Sequence, residues 1–167
     1  HFERLSKNAN IMMIKIKYSC KELCAITLEL LKKENYDEDS YIRPFAYNSN
    51  LKIGPKLIDV EQDLFIYTIP LGQYLDISKP NNVCVSTWSR LPDNCIPPRA
   101  KISGSYVNSA LQKSEALLNG FDEAIVLTSN SHHVSEGSAM NVFMVKNGEL
   151  LTPSVVDDIL EGITRDS

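Results

Sequence analysis

The sequence predicts a mixed α and β fold, and three observations carry that expectation. Ser19 and Glu22 form a capping pair ahead of a stretch in which Leu23, Ile26, Thr27, Leu30 and Leu31 recur at helical spacing. Val107, Ala110, Leu111, Ser114 and Leu118 repeat that spacing later, and Gly120 follows as a stop. Around these helices lie short apolar segments of strand length, and Asn147-Gly148 marks a tight hairpin turn.

In chain order, the first of these helices runs from Ser19 to Lys33 and ends in a polar turn, Asn35 to Asp39. Tyr41 to Tyr47 (YIRPFAY) reads as a strand, with Pro44 favouring an edge position. Leu64 to Leu71 (LFIYTIPL) is a second strand, apolar enough to be buried on both faces. Gly72 to Pro80 (GQYLDISKP) loses the apolar pattern and reads as a linker between a small N-terminal α/β domain at 1–71 and a larger domain at 81–167. The larger part opens with a strand around VCVSTW and an extended approach (IPPRA) to Lys101. The second helix then leads to a strand at Glu123 to Thr128. A polar loop, TSNSHHVSEGS, the strand NVFMV and a return through ELLTP complete it, with antiparallel pairing expected in this half.

The totals exclude several classes. A hydrophobic content of 43% and a charged content of 23% are those of a globular protein, and a net charge of −4 argues against a nucleic-acid binder. No apolar run approaches the roughly 18 residues of a membrane helix. No charged-then-apolar leader opens the chain, which makes the cytoplasm the expected compartment. Cys20, Cys24, Cys84 and Cys95 lack zinc-like pairing and read as reduced, structural thiols, while His132 and His133 read as loop residues, so no metal is expected. The start at HFERL without a methionine, and the stop at GITRDS as a helix begins, point to part of a longer protein.

Three segments carry chemistry. Ala100 to Gly120 places Lys101 before small residues and Tyr106, where a lone lysine would ordinarily be solvated. VSEGSAMNVF puts Glu136 and Gly137 at a small-residue turn between strands. ILEGITRDS sets Gly162 ahead of Ile163 and Thr164 at a helix start, where backbone N–H groups face an anion. With HFERL, YIRP, PLGQYL, VSTWSR, KNGELLTP and LEGITRD in the same order, the chain resembles the fold-type IV pyridoxal-phosphate enzymes, most closely the branched-chain amino-acid aminotransferases.

That resemblance implies a small α/β domain joined to a larger pseudo-barrel domain, both incomplete here. It also implies pyridoxal 5′-phosphate as cofactor. Lys101 would be the amine that holds the cofactor covalently and moves a proton at the substrate Cα. Tyr106 would hydrogen-bond the cofactor phenolate oxygen, and Glu136 would meet the pyridine nitrogen. Arg4, whose planar fork suits phosphate, and the backbone N–H groups of Ile163 and Thr164 would hold the phosphate. Tyr41, Arg43 and Tyr74 would face the substrate; Tyr41 and Arg43, two apart on a strand, share a face.

The implied reaction is transamination between leucine, isoleucine or valine and 2-oxoglutarate. A D-amino-acid aminotransferase, an aminodeoxychorismate lyase or a non-catalytic relative of the same fold are the alternatives. Leu71 stands where some relatives carry tryptophan, and the YNSNLKIGPK loop (47–56) replaces a glycine-rich one. That loop carries Leu51, Ile53 and Pro55 in a polar stretch, so the resemblance implies at least a homodimer with the loop at its interface. The family's first strands and its C-terminal region have no counterpart in these residues.

Overall fold

The computed structural model describes residues 1–72 and 78–167, so Tyr74 and most of the expected linker lie outside the described residues. The chain divides into two compact units, His1–Ser78 and Lys79–Ser167.

In the first unit, helix α1 (Phe2–Ile11) buries Asn8 and Ala9 and carries Arg4 in its first turn. Its exit is tied to the sheet by Gln62, which accepts from Lys15 N at 2.9 Å and donates to Met13 O at 2.7 Å. Helix α2 (Cys20–Glu34) has the expected capping box at Ser19 and Glu22, and Asn35 closes it in the left-handed conformation. Strands β1 (Ser40–Asn48) and β2 (Gln62–Pro70) pair antiparallel, with Phe45 opposite Phe65.

Two expectations need correction in this unit. β2 is not buried on both faces: Leu64, Ile66 and Thr68 are half-buried, while Phe65, Tyr67 and Ile69 on the other face are exposed. A two-stranded sheet with α2 packed on one side leaves the other side uncovered. On α2, Leu23 and Thr27 are buried and Leu30 and Leu31 half-buried, but Ile26 turns outward.

In the second unit, β3 (Val83–Val85), β4 (Glu123–Leu127) and β5 (Val134–Gly137) form one sheet in the order β3-β4-β5. Helix α3 (Tyr106–Leu118) crosses over between β3 and β4, which are therefore parallel rather than antiparallel; β4 and β5 pair antiparallel as expected, and so does the later hairpin. The expected strand NVFMV is shorter, with β6 at Met144–Lys146. It joins β7 (Glu149–Leu151) through Asn147 and Gly148, both at positive φ as a type I′ turn requires. The short helix α4 (Ile163–Asp166) ends the chain. Among the described residues, no helix is long and apolar enough to cross a membrane, and no acidic, Cys or His cluster is placed to hold a metal ion.

The buried face of α3 is also not the expected one. Val107 and Leu118 point to solvent, whereas Ser109, Gln112 and Ala116 face inward. Ser109 and Ala116 are small, and the buried Gln112 amide donates to Ser89 O and Asn108 Oδ1. Close approach to β4 and a hydrogen-bond demand from the 89 loop select this face, over the more apolar one.

Candidate functional site

The approach to Lys101 is a turn and not an extended segment. Pro98–Ala100 form a 3-10 turn, as a proline at its first position favours, and Lys101 closes it at φ 47, ψ 47. A non-glycine residue held in the left-handed region costs about 1–3 kcal/mol, a strain that clusters at functional positions. The lysine side chain is exposed, and its Nζ lies 5.8 Å from the centre of the Tyr106 ring. Tyr106 is the first residue of α3, so the 3-10 turn Ser103–Ser105 sets the spacing between amine and phenol.

Glu136 is not a loop acid. It stands on β5, opposite Val126, and is 3% exposed. Its Oε1 receives Arg90 Nη2 at 2.5 Å, and its Oε2 accepts from Leu160 N at 3.0 Å and Asn141 Nδ2 at 3.3 Å. Burial pushes the Glu136 carboxyl above its ordinary range. The charge of Arg90, the Leu160 N–H and the charge of Lys101 pull it back only in part. The Lys101 charge thus acts on the Glu136 carboxyl, though less than burial, Arg90 or the Leu160 N–H.

Arg90 is the residue that sequence reasoning missed. An arginine closing a short VSTWSR segment is ordinarily solvated, but here it is 7% exposed. Its backbone N–H donates to Leu127 O at 2.8 Å and its Nε to Asp158 O at 3.1 Å, so both ends are fixed. The available signal was its place inside one of the family motifs.

Ile163 and Thr164 open α4, behind a Gly162 N-cap that makes no side-chain capping bond. Leu160 and Asn141 join this terminus to Glu136, since Asn141 Nδ2 also donates to Leu160 O at 2.9 Å. Lys101, Tyr106, Glu136, Ile163 and Thr164 therefore all belong to the second unit. Arg4, Tyr41 and Arg43 belong to the first. There, Tyr41 Oη accepts from Arg43 Nε at 3.0 Å and Nη2 at 2.7 Å.

A family model described as amino-transferase class IV matches residues 1–167. Over its whole length the chain is 51% identical to a probable branched-chain-amino-acid aminotransferase of Aquifex aeolicus, covering 53% of that protein. It is 34% identical, over 171 aligned residues, to the branched-chain-amino-acid aminotransferase of Escherichia coli K12, covering 55% of it. The structure of a branched-chain aminotransferase from Thermoproteus uzoniensis, with norvaline, matches 99% of this chain and 55% of its own, at a TM-score of 0.93 and 38% identity. That of the Thermobaculum terrenum enzyme in its PLP-form matches at 0.91 and 35% identity, covering 99% of this chain and 54% of its own. The chain spans about half the length of the relatives it matches.

Proposed function

Because the chain belongs to the class IV aminotransferase family, we propose that this protein is a pyridoxal-phosphate enzyme moving an amino group between a branched-chain amino acid and 2-oxoglutarate. The observation that carries this reading is Glu136. A carboxylate has about four acceptor positions over its two oxygens. Oε2 is filled by two donors, whereas Oε1 has only Arg90, which leaves a position for one further N–H. The exposed Lys101 amine beside the Tyr106 phenol, with its charge acting on Glu136, is a donor set that would fit the cofactor.

Pyridoxal phosphate, when bound, supplies an electron sink for the bond broken at the substrate Cα. In our reading, Glu136 Oε1 would accept from the pyridine N–H, and Lys101 Nζ would be the amine that holds the cofactor and moves a proton at the substrate Cα. Tyr106 Oη donates to the phenolate oxygen. The Ile163 and Thr164 N–H groups would bind phosphate, and the Arg4 guanidinium is proposed as a further phosphate donor. Tyr41 and Arg43 would face the substrate. Tyr41 and Tyr67 together engage part of the Arg43 fork, whose remaining N–H groups would serve the side-chain carboxylate of glutamate. The names of the relatives favour branched-chain substrates over a D-amino-acid aminotransferase or an aminodeoxychorismate lyase.

Glu136→Gln tests the reading. Turnover of the loaded enzyme is expected to fall at least about 100-fold, roughly 2.7 kcal/mol of barrier, while cofactor occupancy changes far less. Steady-state kinetics beside absorbance titration separates the two. Wild-type turnover would reduce Glu136 to a buried partner of Arg90.

We also propose assembly through the 47–56 loop. Leu51 is 98% exposed and Ile53 106%, and burying such groups is favourable by about 25 cal/mol per Å². We expect a homodimer with this loop in or beside the interface, and a Leu51→Asp, Ile53→Asp variant of lower mass or weaker substrate affinity. Light scattering checks it; a monomeric, fully active wild type defeats it.

A further inference from the structure

Gly162 has φ −71 and ψ 149, a backbone that any residue adopts, so its dihedrals do not call for glycine. Proximity does. A Cβ at this position would stand 1.9 Å from Asn141 Oδ1 and 3.1 Å from its Cγ. The amide cannot swing aside without loss, because its Nδ2 donates to Leu160 O at 2.9 Å and to Glu136 Oε2 at 3.3 Å. With the nitrogen committed to two acceptors, Oδ1 is left facing Gly162. The Leu160 N–H adds a second donor to Oε2 at 3.0 Å. One oxygen of Glu136 is thus held from two directions, and the other keeps an open position beside Arg90.

We propose that Asn141, with Gly162 as the wall behind it, is the positioning residue that locks the Glu136 carboxylate plane, so that Oε1 is the oxygen presented to the cofactor ring nitrogen. This rests on the reading of Glu136 given above. The cost of a side chain at position 162 is then not backbone strain. It is the displacement of Asn141 and the release of Oε2.

The test loads the protein with pyridoxal phosphate and reads its Kd, the pH midpoint of the bound cofactor's absorbance band, and the urea midpoint of the cofactor-free protein. Gly162→Ala and Asn141→Ala are each expected to weaken Kd about tenfold, the scale of one hydrogen bond to a charged group. Each is also expected to raise the pH midpoint, since a ring nitrogen less firmly protonated leaves less positive charge near Lys101. The double variant is expected to be no worse than either single one, because the alanine at 162 acts only by displacing Asn141. Should an alanine variant fail to fold, Asn141→Asp carries the test. It keeps the shape but sets a second carboxylate against Glu136 Oε2, so its affinity loss relative to wild type should shrink at acid pH, where the pair shares a proton. An Asn141→Asp protein with wild-type affinity across pH overturns the proposal. Alanine effects that add, with an unmoved pH midpoint and a lowered urea midpoint, mean packing alone and overturn it too. Glu136→Gln separates the two layers. If it moves the pH midpoint while the Asn141 and Gly162 variants do not, only the positioning inference falls; if it also leaves the midpoint unmoved, the reading of Glu136 falls with it.

Discussion

Lys101→Ala is expected to lose turnover by at least about ten-thousand-fold, roughly 5 kcal/mol of barrier, and to lose the near-ultraviolet or visible band of lysine-bound cofactor. Among the described residues, Lys113 on the following helix offers no substitute. Lys113, on α3, is held by Glu123 Oε2 at 2.9 Å and Asp122 O at 2.5 Å, and leaving them would strand a Glu123 carboxylate that is 8% exposed. Lys101 makes no such commitment; its amine is exposed, and its left-handed backbone aims it from the end of a turn. Absorbance spectra and peptide mapping after borohydride reduction check the result. An unchanged band in the variant, with the label on another lysine, would remove Lys101 from the mechanism.

Arg90→Met is expected to cost about 3–5 kcal/mol of folding stability, the scale for stripping one partner from a buried ion pair. The Arg90 and Glu136 side chains are 7% and 4% exposed, so water cannot take the place of the guanidinium. Glu136 is already pushed up by burial, and without Arg90 its carboxyl should rise further. The sign of the pH effect follows. A carboxyl raised in the folded state contributes stability below the ordinary carboxylate range and loses it as pH climbs through the raised value. The variant's deficit should therefore be largest at neutral pH and smallest in acid. Urea unfolding at several pH values measures it, and an Arg90→Met, Glu136→Met double variant should recover much of the loss. A deficit under about 1 kcal/mol at neutral pH would show that the pair is not a structural keystone.

What was legible in the chain was what neighbouring residues decide. Ser19 and Glu22 satisfy each other's backbone within one turn, and Asn147-Gly148 both tolerate positive φ, so the helix start and the hairpin could be read directly. Gly162 ahead of Ile163 and Thr164 is equally local. Family order added the matched segments, but it offered Arg90 only as one letter of a motif.

The remaining features depend on groups distant in sequence. The outward apolar stripe of α3 could not be distinguished from a core stripe, because its direction is decided by the approach to β4 and by the Ser89 carbonyl waiting for Gln112. Whether β2 has one covered face or two depends on what packs there, not on its own composition. Glu136 looked like a loop acid because nothing beside it in the chain is charged; its partners arrive from β5's surroundings, as Arg90, Asn141 and the Leu160 backbone. By itself, then, the sequence determined the capped helix, the type I′ turn and the order of the motifs, since those rest on hydrogen bonds and dihedrals within a few residues. Only the tertiary structure decided which faces are buried and which oxygen of Glu136 stays open, since burial and ion pairing belong to whatever the fold brings alongside.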